Sequence, residues 1–180
     1  APTPPGTCTA ASPHVNARIT LDSVPAMSAT QYAIRVINLA PTTAPTIAVG
    51  NLDVWIDTLA AAANPAGSPT FGNVAFGDVR NYSLFTARPA VGGAAPVPAL
   101  AYRGVIAATA TTTPFVQVAA PAGTVGNATT QPIPGVIVAG TAFTALIVPP
   151  SVAGSKAEPP ALPTPSVLYM IDQLPPRTAP

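Results

Sequence analysis

The chain has 180 residues, of which 48% are hydrophobic and only 7% charged, and its net charge is +1. That length supports one domain with residues to spare for loops and arms, and the apolar share suffices for a core, which excludes wholesale disorder. The positive residues are scattered and Lys156 is the single lysine, so there is no electrostatic footprint for nucleic acid or for an anionic membrane.

The 25 prolines and 13 glycines exclude long helices, because each interior proline costs about 3 kcal/mol. Residues 1–30 are rich in Pro, Thr, Ala and Ser and read as an extended N-terminal arm. Within it Val15, Ile19 and Leu21, interspersed with Arg18, Thr20 and Asp22, predict one short strand. Ala1 followed by Pro-Thr-Pro-Pro reads as the start of a mature chain after a small-residue cleavage site.

Strand signals then recur along residues 31–173, the expected sandwich domain, which a Pro-rich tail follows at 174–180. Residues 32–39 are rich in β-branched side chains and end at Ala40-Pro41. In residues 52–57 Leu52, Val54 and Ile56 face one side and Asp53, Trp55 and Asp57 the other, the alternation of a strand with one buried face. Leu59 and the four alanines after it predict a single helical turn. Residues 73–76 predict a short strand ending at the Gly77-Asp78 turn, and residues 79–85 another that carries Tyr82 and Leu84 on one face. Further strands are expected at 102–109, 114–119, 135–139, 141–148 and 166–172. The uncharged stretch 104–155 contains an apolar run at 133–148. Prolines and glycines interrupt and bracket it, so two strands joined at Ala139-Gly140 fit better than a membrane-spanning helix. Many short strands separated by Pro/Gly turns predict an all-β sandwich or barrel, and the absence of a fixed period excludes a solenoid or propeller. In a chain this poor in lysine, prolines are the available guard against edge-to-edge pairing.

Residues capable of chemistry are few. The one histidine, His14, lies in the arm, and no Gly-x-Ser-x-Gly surrounds a serine. Cys8 is the only cysteine, so no internal disulfide or multi-cysteine metal site forms, and its thiol is either buried or a candidate for an intermolecular bond. Asp53 and Asp57 are too far apart along one strand for a tight carboxylate pair and read as a solvated face flanking Trp55. No calcium loop, zinc ligand set or phosphate-binding loop is present, and no cofactor is expected. Trp55 is a candidate sugar contact, although packing against a neighbouring loop is the commoner role for such a residue. Two sequons make Asn81 and Asn127 candidate glycosylation sites. Asn127 sits in a Gly/Thr/Pro spacer and Asn81 in an expected strand, and threonine runs such as 109–113 offer O-linked positions.

Three blocks carry a family resemblance: Arg35-Val36-Ile37-Asn38-Leu39-Ala40-Pro41, Leu52-Asp53-Val54-Trp55-Ile56-Asp57, and Asn73-Val74-Ala75-Phe76-Gly77-Asp78-Val79 followed by Tyr82. With Ala139-Gly140-Thr141-Ala142-Phe143-Thr144 and the closing residues 168–172, they resemble a bacterial secreted domain family of unknown function, the DUF four-three-nine-seven type. The resemblance spans residues 31–173 and implies an extracellular or envelope location and an immunoglobulin-like antiparallel β-sandwich. Thr58 stands where the family places a glycine, and the 87–99 and 121–134 spacers are expanded. The family brings no catalytic residues.

The first functional expectation is an extracellular structural subunit that polymerises with copies of itself, residues 14–22 adding a strand to a neighbour's sheet. Covalent glycans would offset the missing surface charge. The second expectation is an adhesion or carbohydrate-binding module using Trp55. An enzyme ranks last, because acid–base groups are so few.

Overall fold

The computed structural model describes residues 23–40, 43–44, 47–48, 51–58, 68–87, 100–106, 116–149 and 166–177. The expected donor strand with Val15, Ile19 and Leu21, the Cys8 thiol, His14, the helical turn after Leu59 and the 109–113 threonines lie outside the described residues.

Among the described residues the regular structure is all strand: β1 (Gln31–Asn38), β2 (Thr43–Ala44), β3 (Ile47–Ala48), β4 (Leu52–Thr58), β5 (Phe71–Val74), β6 (Ser83–Thr86), β7 (Leu100–Ile106), β8 (Val116–Ala119), β9 (Ala142–Val148) and β10 (Ser166–Gln173). They form two four-stranded sheets, ordered β10-β9-β1-β6 and β5-β4-β7-β8, and a two-stranded pair, β2-β3.

The strands with the strongest apolar runs lie at the centre of the first sheet. From Tyr32 to Val36 every residue of β1 is buried, as are Ala142 to Ala145 at the start of β9. Strands covered on both faces read as continuous apolar runs, whereas β4, with Leu52 and Val54 buried and Asp53 and Trp55 half-buried, keeps its alternation. The expectation of a purely antiparallel arrangement is corrected at one ladder: β1 and β9 run parallel, from Ala33 opposite Ala142 to Asn38 opposite Ile147. A parallel pair needs a long crossover, and the whole second sheet intervenes in sequence between these two strands.

A single hydrophobic cluster draws on both sheets. Tyr32, Ile34, Val36, Phe143, Ala145, Ile147 and Val167 of the first sheet pack with Leu52, Val54, Phe71 and Val74 of the second. Each of the Val, Leu, Ile and Phe side chains among them, fully buried, contributes about 1.5–3 kcal/mol. Tyr32 stacks on Phe85 with ring centroids 5.5 Å apart. Tyr169 on β10 donates its hydroxyl to the Val118 carbonyl on β8 at 3.1 Å, which links the two sheets along one side.

Three expected strands shift or fail. The strand expected at 73–76 lies earlier, as β5, and Phe76 is 55% exposed in the turn made by Gly77 at φ 79°. Of residues 79–85 only the last three join β6; Val79 makes a lone bridge to Ile37, and Tyr82 precedes the strand. Residues 135–139 form turns instead of a strand. Their amides at Val136 and Ile137 donate to the carbonyls of Pro121 and Ala122, so the segment folds onto the preceding loop. Gly135 makes that approach possible, because a Cβ there would collide with the backbone of Ala122 and Gly123. Gly140, at φ 81°, then turns the chain into β9.

Phe143 lies at the centre of this core, fully buried. Phe143→Ala is expected to lower the unfolding free energy by about 3–5 kcal/mol. Ile133→Ala, at a 59% exposed site, should change it by no more than about 0.5 kcal/mol. Urea titrations of both variants, followed by tryptophan fluorescence, provide the check.

Candidate functional site

The polar residues of the motif blocks are occupied by the backbone. Buried Asn38 donates from Nδ2 to the Val74 carbonyl at 3.1 Å and accepts the Ala40 amide on Oδ1 at 3.0 Å. Its own amide donates to the Asp78 carbonyl, and its carbonyl accepts the Gly77 amide. Asp53 accepts the Asn73 amide at 2.7 Å, holding a residue at φ 54°. Asp53, half-exposed on the side of β4 opposite buried Leu52 and Val54, thus fastens β5 to β4. Asp78 accepts the Ala75 amide at 3.0 Å and pairs with Arg80 at 3.2 Å. Arg80 in turn donates to the carbonyls of Gly72 and Asn73.

A second cluster lies on the face of the β10-β9-β1-β6 sheet that points away from the core. Arg35 and Thr144 are register partners, as are Thr144 and Met170. Arg35 donates from Nε to the Thr144 hydroxyl at 2.7 Å, and that hydroxyl donates to Oδ2 of Asp172 at 2.6 Å. The guanidinium stands 3.9 Å from the other carboxylate oxygen, and the two side chains are 10% and 9% exposed. Tyr82 stacks on Arg35, whose Cζ is 4.8 Å from the ring centroid. The cluster thus binds β1, β9 and β10 together where β10 bulges between Ile171 and Gln173. Its groups satisfy one another.

Two surfaces remain. Along β10, Leu168, Met170 and Ile171 are each about half exposed, and Leu174 beyond it more so. At the end of this sheet where β1 begins and β10 ends lies a groove of about 740 Å³, lined by residues including Val24, Met27, Val125, Ile137 and Pro175. None of the described residues that line it carries an ionisable side chain. Among the described residues no group of three or more His, Cys, Asp or Glu side chains is placed to hold a metal ion. No described helix is long and apolar enough to cross a membrane.

The residues singled out by sequence fall at separate places. Trp55 is half-buried on the outward side of β4, opposite Arg103 in register. Asn81 is exposed ahead of β6, outside the strand expected to contain it. Asn127 is exposed on a turn, its Oδ1 accepting the amides of Thr129 and Thr130 and the Thr129 hydroxyl. None of these adjoins the Arg35 cluster in a strand ladder. Sequence reading missed Thr144 and Asp172; the available signal was a charged Arg35 set among β-branched residues in a strand that reads as buried. No protein-family model, curated protein or solved structure matches the chain.

Two outcomes follow from these contacts. Asp172→Ala leaves Arg35 buried without its carboxylate and is expected to cost about 3–5 kcal/mol, whereas Arg35→Met combined with Asp172→Leu should recover most of that loss. Denaturant unfolding of the single and double variants measures both. Burial pushes the Tyr169 phenol up from its ordinary value, so the folded state favours the protonated form. Stability from this group is therefore full below pH of about 10 and drains as pH rises from there toward the raised folded value. In an alkaline absorbance titration, the Tyr169 signal should be absent from the first ionisation step and appear only as the protein unfolds, and Tyr169→Phe should abolish it.

Proposed function

We propose that the chain is an extracellular structural protein, a subunit that assembles with copies of itself into a surface filament or layer by strand addition. The observation that carries this reading is the nature of the surface. Leu39, Phe76, Leu84, Val125, Ile133, Leu168, Met170, Ile171 and Leu174 are all at least 41% exposed in a chain only 7% charged. Soluble monomers keep such surface small and separate themselves by charge, so apolar surface combined with little charge favours association.

The shared core of the two sheets supports a β-sandwich, and the resemblance to the DUF four-three-nine-seven type supports an immunoglobulin-like one in an extracellular setting. The first described strand, β1, is central and paired in parallel with β9, whereas constant-type immunoglobulin order places the first strand at a sheet edge. The donor of the added strand is the arm, through Val15, Ile19 and Leu21, and the exposure of Asn81 and Asn127 supports covalent glycans there.

The test uses the full-length chain with Val15→Asp, Ile19→Asp and Leu21→Asp together. Electron microscopy and light scattering should show polymers for the parent chain and a loss of most of them for the variant. A parent chain that forms no polymer at high concentration overturns the reading. Glycosidase treatment of native material should reduce its mass, and Asn127→Gln should remove one step of that reduction.

A further inference from the structure

Among the described residues four strands form the edges of the two large sheets: β10 and β6 of one, β5 and β8 of the other. Three of them, β5, β6 and β8, are 4 residues long, and β10 is 8. A short edge offers little to pair with, but a long one presents a row of unpaired N–H and C=O groups. The bulge in β10 lies near its end, so residues 166–171 stay in regular register with β9.

The usual guards of an edge are missing from β10. It contains no proline, lysine or arginine, and Pro165, Pro175 and Pro176 stand only beyond its ends. Its one charge, Asp172, is turned away from solvent, 9% exposed, accepting the Thr144 hydroxyl beside Arg35. What the strand presents instead is apolar: Leu168 is 47% exposed and Met170 53%. On the other face, buried Val167 and the Tyr169 bond to Val118 hold the strand against the core, so the edge is ordered before any partner arrives.

We propose that β10 pairs edge to edge with β10 of a second copy, antiparallel across a two-fold axis, making one eight-stranded sheet from two four-stranded ones. A second copy is the occupant this edge fits. A two-fold contact uses one patch twice and needs no complementary surface elsewhere. Like charges facing each other across a ladder would oppose it, and the capture of Asp172 by Arg35 and Thr144 removes the only one. The net charge of +1 keeps long-range repulsion between copies small. A foreign partner chosen by charge would find none here to read. This contact deepens the reading of a self-assembling chain but does not use the arm, so the two can fail separately.

Sedimentation velocity on the full-length chain at micromolar concentration tests it. The parent chain should sediment at twice the chain mass or as assemblies built from that dimer. Leu168→Lys and Met170→Lys, both at exposed sites, should each weaken the dimer at least tenfold while leaving circular dichroism unchanged, and the urea midpoint unchanged at a dilution where the parent chain too is monomeric. The Val15, Ile19, Leu21 triple variant should remain dimeric. In a Cys8→Ser background, Leu168→Cys or Met170→Cys should cross-link copies on oxidation, and Leu84→Cys, on the opposite edge strand, should not. A monomeric parent chain, lysine variants that stay dimeric, or cross-linking at Leu84 overturns the proposal. Loss of the dimer in the arm variant alone also overturns it, in favour of arm-mediated contact.

Discussion

Arg35 sits in one of the two central strands of the first sheet, in a position where a buried cation without partners would be expensive. Three groups from three other parts of the chain make that position tolerable: the Thr144 hydroxyl, the Asp172 carboxylate and the Tyr82 ring. The arrangement works only if β1 and β9 run parallel in the observed register and β10 bulges at its end. The buried network therefore constrains three strands at once. A register slip of one residue in β9 would turn Thr144 toward the core and leave Arg35 facing apolar carbon.

The same reasoning applies to the polar residues of the motif blocks. In a chain with so few ionisable groups, it is tempting to assign each one a chemical task. Asn38, Asp53, Asp78 and Arg80 are instead spent on backbone amides and carbonyls at the points where β1, β4 and β5 meet. Each closes a bond that a turn or a short strand leaves open, and buried backbone groups without partners are costly. Motifs of this kind specify a fold as strictly as a catalytic triad specifies a reaction, and they look similar in sequence.

This explains which parts were legible from sequence. β1, β4, β9 and β10 were, because β-branched runs and strict alternation are local signals. The alternation in β4 even assigned Leu52 and Val54 to the inner face correctly. Residues 135–139 were not, since Val136 and Val138 are buried yet the amides of Val136 and Ile137 bond to a loop and that of Val138 to Gly135 within the turn, and burial alone does not distinguish a strand from a packed turn. The strand expected at 79–85 was displaced because the backbone of Arg80 and Asp78 serves the β1 end instead. The Arg35 cluster was illegible because its members come from β1, β9, β10 and the residue before β6, and only the register and the fold bring them together.

The exposure of β10 was illegible for a related reason. Val167, Leu168, Tyr169, Met170 and Ile171 read as a continuous apolar run, and such a run suggests a strand covered on both faces, like β1. Among the described residues it is a sheet edge, with Val167 buried, Tyr169 half-buried and Leu168, Met170 and Ile171 open. Nothing in elementary packing requires Leu168 and Met170 to be apolar there, since the inner face already carries the contacts that seat the strand. Polar residues at those two positions would have kept the core intact and guarded the edge. An apolar sequence that the described core does not demand is what the proposed pairing with a second copy would use, and the capture of Asp172 beneath it leaves that pairing free of charge repulsion.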